Sequence, residues 1–137
     1  MSGNQRGGTV SQDTHTQRTL LVVEDDSVLY ESIRLHFERH GWKCAWYDHA
    51  PADMDEVRAL GADAGLIDVN LPAGNGIDLI NCMRADGIDM PIIVMTGYIG
   101  AAERARSSGI SNMEVLLKPF DLRKLQDKLS DAMFAAA

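Results

Sequence analysis

A single carboxylate at the end of an apolar run most constrains how this chain can fold. The residues from Gly65 to Ile67 lead into Asp68 as a short buried strand would, and the run ends at Leu71-Pro72, before a glycine-containing loop. Removing a carboxylate from water is costly unless a cation or hydrogen bonds compensate it. We therefore expect Asp68 to lie where a buried strand ends, with partners supplied by other parts of the chain.

Length and composition favour one globular domain. The chain has 137 residues, of which 45% are hydrophobic and 24% charged, and these values are ordinary for such a domain. Its apolar runs are much shorter than the roughly 18 residues that a membrane-spanning helix needs. The net charge of −7 argues against a surface built to hold nucleic-acid phosphates. We expect a cytoplasmic protein in which Cys44 and Cys82 are reduced thiols of the core.

The ends of the chain differ in composition from its middle. Residues 1–18 contain almost no apolar side chains, so they cannot bury enough surface to offset the entropy of ordering. We expect a flexible N-terminal tail over residues 1–18, a folded domain over residues 19–134 and a short tail over residues 135–137. His36 and His40 have helical spacing but no evident third ligand, so no zinc site is expected. Trp42 and Trp46 are assigned to packing.

Five short apolar segments alternate with five helical patterns after the tail. The predicted strands cover residues 19–23, 42–47, 65–68, 92–95 and 113–117. The predicted helices extend from Asp26 or Ser27 to Gly41, from Pro51 to Leu60, from Gly76 to Ala85, from Ala101 to Ser108 and from Asp121 to Met133. This alternation is typical of an α/β fold in which helices cover both faces of a mostly parallel, doubly wound sheet.

Acidic, hydroxyl and basic residues recur at the ends of four predicted strands. These residues are Glu24, Asp25, Asp68, Thr96 and Lys118. Doubly wound sheets bind ligands outside the carboxyl ends of their strands, so the five side chains are predicted to form one site. Converging carboxylates repel each other and favour a bound cation, and an all-oxygen set suits Mg²⁺.

The same residues are suited to phosphoryl transfer onto a carboxylate. Asp68 is the candidate nucleophile, because metal-supported carboxylates can form aspartyl phosphates. Lys118 supplies positive charge and Thr96 a hydroxyl for the phosphoryl oxygens.

Four short motifs resemble those of the response-regulator receiver domain. They are Leu21-Val22-Val23-Glu24-Asp25-Asp26, Ile67-Asp68-Val69-Asn70-Leu71-Pro72 with Gly76, Met95-Thr96-Gly97 and Leu117-Lys118-Pro119-Phe120. The motifs occur in the family's order, and the resemblance extends from about Thr19 to Met133. It implies a flavodoxin-like (βα)5 fold with a five-stranded sheet of order 2-1-3-4-5.

The resemblance also implies the roles of the site residues. Asp25, Asp68 and the main-chain carbonyl of Asn70 would bind Mg²⁺ directly, whereas Glu24 would act mostly through water. Thr96 and Lys118 would hold the phosphoryl group on Asp68. The Lys118-Pro119 peptide bond is expected to be cis, a state that proline makes accessible.

The implied function is signalling rather than enzymatic turnover. A sensor histidine kinase or a histidine phosphotransfer protein would phosphorylate Asp68. The modified domain would then change its contacts with a downstream protein, or within a homodimer, through the face formed by the fourth helix, the fifth strand and the fifth helix. We expect no direct contact with nucleic acid or with a membrane.

Two features depart from the family's pattern. Three residues before Lys118, where many members have Tyr or Phe, this chain has Val115, and five residues rather than three separate Gly109 from Val115. The usual coupling between the site threonine and that aromatic ring is therefore not expected. We hypothesise that Tyr98, two residues after Thr96, takes over part of this coupling.

Other interpretations stay open at this stage. Glu24-Asp25-Asp26 alone also fits helix capping and compensation of the helix dipole. The acidic pocket could belong to a pseudo-receiver, which binds partners without being phosphorylated, or the chain could be the receiver part of a longer regulator with an output domain. A phosphotransferase of another α/β type fits less well, because such families need Asp where Asn70 stands, and no glycine-rich phosphate loop is present.

Overall fold

The computed structural model describes residues 17–136. Residues 1–16 of the predicted N-terminal tail lie outside this range. The first strand begins at Arg18, one residue before the predicted start of the domain, and the last helix ends at Ala136, two residues beyond the predicted end. The high helix propensity of alanine accounts for the longer helix.

Five parallel strands form the central sheet, in the order β2-β1-β3-β4-β5. The strands are β1 (Arg18–Val23), β2 (Trp42–Tyr47), β3 (Ala64–Asp68), β4 (Ile92–Thr96) and β5 (Met113–Leu117). The predicted flavodoxin-like strand order is therefore confirmed. The order reverses between β1 and β3, and this reversal opens a crevice at the carboxyl edge of the sheet.

Five helices complete the alternation. They are α1 (Ser27–Glu38), α2 (Met54–Ala59), α3 (Gly76–Ala85), α4 (Ile99–Arg106) and α5 (Leu122–Ala136). Among residues 17–136, no helix is both long and apolar enough to cross a membrane.

The second helix begins later than the sequence predicts. Pro51 was expected in its first turn, but the helix starts at Met54. Asp53 caps it, because the Asp53 side chain accepts hydrogen bonds from the main-chain N–H groups of Asp55 and Glu56 at 3.0 and 3.4 Å. Such a cap satisfies amide groups that the first helical turn leaves free, so it sets where the helix starts.

Apolar side chains cover both faces of the sheet. Leu20 of β1 belongs to a buried cluster with Ile33 of α1 and Leu125 of α5. Leu21, the next residue, points to the opposite face and joins a second cluster with residues of α2, α3 and α4. All residues of β3 and β4 are buried, as expected of strands covered on both faces. This burial leaves the strand ends as the place where charged side chains meet.

The two cysteines lie in different environments. Cys44 is half-buried in β2, whereas Cys82 is exposed on α3, so the prediction of two core thiols is wrong for Cys82. Leu79, Ile80 and Met83 form the buried side of α3. The helical period places Cys82 on the outer side of the same helix.

Arg84 of α3 connects the loops at the amino edge of the sheet. Its guanidinium donates to the main-chain carbonyl oxygens of Ile88 at 2.9 Å, Met90 at 3.0 Å, and Ser111 and Asn112 at 3.1 Å each. The first two carbonyls precede β4 and the other two precede β5. One side chain therefore satisfies four carbonyl groups of two loops.

We predict that Arg84→Met lowers the free energy of unfolding by about 2–3 kcal/mol, because it removes charged hydrogen bonds and leaves partly buried carbonyls unpaired. Urea unfolding is the measurement. Arg34→Met is the matched control, since Arg34 pairs with Glu31 and Glu38 on the surface of α1 and should matter much less. Equal losses in the two variants would contradict the prediction.

Candidate functional site

The ammonium group of Lys118 donates hydrogen bonds to two acids at the ends of different strands. The loop after β5 places its Nζ 2.8 Å from Oε1 of Glu24 and 3.0 Å from Oδ2 of Asp68. Its main-chain N–H donates to the carbonyl oxygen of Thr96 at 2.7 Å, which extends the pairing of β4 with β5. The Lys118-Pro119 peptide bond is cis, as predicted. Lys118 thus joins the carboxyl ends of four strands.

Three carboxylates converge beside this lysine. One oxygen each of Glu24, Asp25 and Asp68 lies within 4.8 Å of the other two. Glu24 and Asp68 are only 1% and 4% exposed, whereas Asp25 is exposed to solvent. The site is therefore a pocket with two buried acids and one acid at its opening.

Asp26 has a different role from the two acids before it. Its Oδ1 accepts hydrogen bonds from the N–H groups of Val28 and Leu29 at 3.0 and 3.2 Å, so Asp26 is the N-cap of α1. Its own N–H donates to Oε2 of Glu24 at 3.0 Å. Helix capping therefore explains Asp26 but leaves Glu24 and Asp25 for the pocket.

The chain turns sharply after Asp68. Residues 70–71 and 74–75 form a two-residue antiparallel ladder, and Ala73 between them has a positive φ of 55°. The N–H of Asn70 donates to Oδ1 of Asp68 at 3.0 Å. The two oxygens of Asp68 therefore have separate partners, which are this amide and the ammonium group of Lys118.

The Asn70 side chain extends the network to Thr96. The buried hydroxyl of Thr96 donates to Oδ1 of Asn70 at 3.1 Å and accepts from the N–H of Tyr98 at 3.1 Å. Tyr98 immediately precedes α4, and its side chain is exposed. Val115 is buried in the core cluster below α4. Thr96 is therefore linked to the start of α4 through the main chain, with no aromatic ring at position 115.

The charges of the site fit a divalent cation. The three carboxylates and the one ammonium group that contacts two of them leave two negative charges uncompensated. Carboxylate oxygens are the donors that hard cations such as Mg²⁺ prefer. The four residues expected to bind the metal lie together in the fold; they are Glu24, Asp25, Asp68 and Asn70.

The pKa values of both Lys118 and Glu24 are raised, with opposite effects on the stability of the fold. Burial lowers the pKa of Lys118, but the hydrogen bonds from Lys118 to Glu24 and Asp68 raise it, and the net shift is upward. Burial raises the pKa of Glu24, and the bonds from Lys118 and Asp26 oppose this without cancelling it. The site therefore favours a charged lysine, while ionisation of Glu24 costs free energy.

Three contacts at the site are not evident from the sequence pattern. The first is the Asn70 to Thr96 side-chain bond, and the second is a close approach of Gly76 to the end of β3. The third is a hydrogen bond of 2.8 Å from the indole N–H of Trp46 to the main-chain carbonyl of Glu24. The sequence does hold a signal for the third contact, because Trp46 lies near the carboxyl end of the predicted strand β2.

We predict that Gly76→Ala disturbs the position of Asp68. A Cβ atom at Gly76 would lie 2.2 Å from the main-chain oxygen of Asp68, so the end of β3 has to move. The expected result is a loss of about 1–3 kcal/mol in the free energy of unfolding and weaker Mg²⁺ binding, measured by denaturation and by calorimetric titration.

Gly100→Ala is the control for this change. A Cβ atom there meets only the guanidinium of Arg104, at 3.5 Å, within α4, and alanine favours a helix. Unaltered Mg²⁺ binding by Gly76→Ala would show that the close approach does not fix the site.

We predict that Glu24→Gln removes a pH-dependent cost. A carboxyl group whose pKa is higher in the folded state holds its proton more tightly when the protein is folded. Its ionisation therefore destabilises the fold once the pH rises above 4.5, the ordinary pKa of a glutamate. Without Mg²⁺, the stability of Glu24→Gln relative to the unmodified protein should therefore grow as the pH rises from 4.5 through the raised pKa of Glu24. The measurement is urea unfolding at a series of pH values.

The same change at the exposed Glu103 of α4 is the control for this pH series. A stability difference for Glu24→Gln that shrinks over this pH range would contradict the prediction. Added Mg²⁺ should stabilise the unmodified protein more than Glu24→Gln, since the cation offsets the buried negative charge.

Comparison with known proteins identifies the family. The model of the response regulator receiver domain matches residues 20–130. A sensor protein from Polaromonas sp. JS666 has a solved structure that is 26% identical, with a TM-score of 0.77, and the match covers 88% of this chain and 98% of that one.

Two curated relatives are larger regulators. The transcriptional regulatory protein FixJ of Bradyrhizobium diazoefficiens is 25% identical over 86% of this chain and 58% of its own length. The cell cycle response regulator CtrA of Brucella ovis is 27% identical over 74% of this chain and 44% of its own length. This chain thus spans about half the length of the curated relatives that it matches. The match of the family model over most of the chain, on a sheet of the expected order, shows that the chain belongs to the response-regulator receiver family, a signalling module of two-component systems.

Proposed function

We propose that this protein is a phosphorylation-dependent switch in which Asp68 accepts a phosphoryl group from a histidine. The donor is a sensor histidine kinase or a histidine phosphotransfer protein. One observation carries the proposal: the nearly buried carboxylate of Asp68 is bonded by Lys118 while two further acids lie within 4.8 Å. Two buried acids and a third at the opening of the pocket repel each other, so their closeness favours a bound cation, which this transfer would use.

The transfer would use a nucleophile, a positive charge and a hydroxyl, which Asp68, Lys118 and Thr96 would supply. An oxygen of Asp68 forms the new bond to phosphorus, the bond from phosphorus to the donor's imidazole nitrogen breaks, and its electron pair stays on that nitrogen. Lys118 donates a hydrogen bond to Asp68 at 3.0 Å, and it would donate to a phosphoryl oxygen once the negative charge has moved there. The Thr96 hydroxyl exchanges its bond to Asn70 for a second phosphoryl oxygen.

The acids of the pocket would hold Mg²⁺. Asp25, Asp68 and the main-chain carbonyl of Asn70 would bind it directly, and Glu24 would act mostly through water. When bound, Mg²⁺ neutralises charge on the phosphoryl oxygens. The exposed position of Asp25 leaves the pocket open to solvent and to the donor.

The link from Thr96 to α4 supplies a route for the signal. Thr96 accepts the N–H of Tyr98, and α4 begins at the next residue without a side-chain cap. Movement of the Thr96 hydroxyl towards a phosphoryl group therefore removes a hydrogen bond from the start of α4. The face of α4, β5 and α5 carries exposed apolar side chains at Ile99 and Leu117, which suit a downstream protein or a second copy of the chain.

We predict that the unmodified protein, but not Asp68→Asn, gains one phosphoryl group from acetyl phosphate in the presence of Mg²⁺. The reason is that the amide keeps the shape of the carboxylate but is not a nucleophile of comparable strength. Intact mass spectrometry is the measurement. Asp78→Asn, at an exposed aspartate in the first turn of α3, is the control and should still gain the group.

A chain that binds Mg²⁺ but gains no phosphoryl group would contradict the proposal. That result would favour the pseudo-receiver, in which the acidic pocket serves partner binding alone. An adduct on both the unmodified chain and Asp68→Asn would place the acceptor at another residue.

A further inference from the structure

Trp46, the second-last residue of the edge strand β2, is only partly covered by its neighbours. The residue is 39% exposed, yet its indole ring lies flat on the ring of Tyr30, with centroids 4.4 Å apart and planes 6° apart. Tyr30 is buried in the first half of α1. The stack thus fixes the indole between β2 and α1, at the edge where the acids lie.

The indole also forms the hydrogen bond to the site described above. Its N–H donates to the main-chain oxygen of Glu24 at 2.8 Å, and the N–H of Glu24 donates to the main-chain oxygen of Tyr47 at 3.0 Å. Glu24 is therefore held from β2 on both sides of its Cα atom. Its carboxylate is held separately, by Lys118 and by the N–H of Asp26.

The carbonyl group that Trp46 binds belongs to the peptide unit that joins Glu24 to Asp25. Because a peptide unit is planar, fixing its oxygen fixes the direction in which the chain enters Asp25. Asp25 is the exposed acid of the cluster, and repulsion from Glu24 and Asp68 favours its movement away from the pocket. A bond that restrains this peptide unit therefore keeps the three carboxylates close enough to share one cation.

We infer that Trp46 is a positioning residue for the metal site: its indole N–H, held by the stack on Tyr30, orients the Glu24-Asp25 peptide unit so that Asp25 faces the cation. This inference rests on the proposed function, because it concerns the same acidic site. It adds a residue of β2 to a site whose other members end or follow β1, β3, β4 and β5.

Trp46→Phe tests the inference, because phenylalanine retains an aromatic ring for the stack but lacks the N–H donor. Trp42→Phe is the matched control. Trp42 lies on the same strand at the opposite end of the sheet, with its ring edge-on to Phe37 at 5.7 Å. Mg²⁺ affinity is measured by isothermal titration calorimetry and folding by thermal unfolding. We expect Trp46→Phe to bind Mg²⁺ about fivefold more weakly, as the loss of one ordinary hydrogen bond implies, and Trp42→Phe to bind it with unchanged affinity.

A second measurement uses the unmodified protein and so does not depend on a variant that folds. The indole N–H signals of Trp42 and Trp46 are followed by ¹⁵N NMR during a Mg²⁺ titration. We expect the Trp46 signal to shift and the Trp42 signal to stay in place. Equal Mg²⁺ affinities in the two variants, a Trp46 signal that does not respond, or no Mg²⁺ binding by the unmodified protein would each overturn the inference.

The outcome also separates this inference from the proposed function. If the unmodified chain gains no phosphoryl group but Trp46→Phe still binds Mg²⁺ more weakly, the proposed function fails and the positioning role stands. If the chain is phosphorylated and both variants bind Mg²⁺ equally, the proposed function stands and the positioning role fails.

Discussion

The attraction between one ammonium group and two buried carboxylates determines the arrangement of the carboxyl edge. Lys118 bonds both Glu24 and Asp68, and these acids end or follow strands that lie side by side. Without a cation between them, two carboxylates with exposures of 1% and 4% would repel each other in a region of low dielectric. The lysine compensates only part of this charge. The remainder makes the pocket suited to a divalent ion.

Hydrogen bonds that involve the main chain add to the bonds from Lys118. The N–H of Asn70 orients Asp68, the N–H of Asp26 orients Glu24, and the indole of Trp46 restrains the peptide unit between the first two acids. Main-chain donors lose little conformational entropy when they bind, so they suit a site in which like charges have to be kept together. Thr96 is arranged differently, since its hydroxyl donates to Asn70 and accepts from the main chain at the start of α4.

Much of the fold was predictable because each strand is a short apolar run that ends at a polar residue. The run before Asp68 and the run before Thr96 are buried strands, as their composition indicates. Predictions failed where a local cap competed with composition or where a face had to be chosen. The helix α2 begins at Met54, after its Asp53 cap, rather than at Pro51, and Cys82 lies on the outer side of α3. The candidate acids could be named from their positions at strand ends, but the division of labour among Glu24, Asp25 and Asp26 could not.

The sequence by itself determined the order of the elements, the parallel sheet and the edge at which Glu24, Asp68 and Lys118 meet, because hydrophobic periodicity and strand ends are local properties of the chain. Only the tertiary structure decided which groups touch. Lys118 and Glu24 are 94 positions apart, and Trp46 and Glu24 are 22 apart, yet each pair is joined by a hydrogen bond of 2.8 Å. Such contacts depend on strand register and on the stacking of Trp46 against Tyr30, which arise only when the sheet and α1 have packed together.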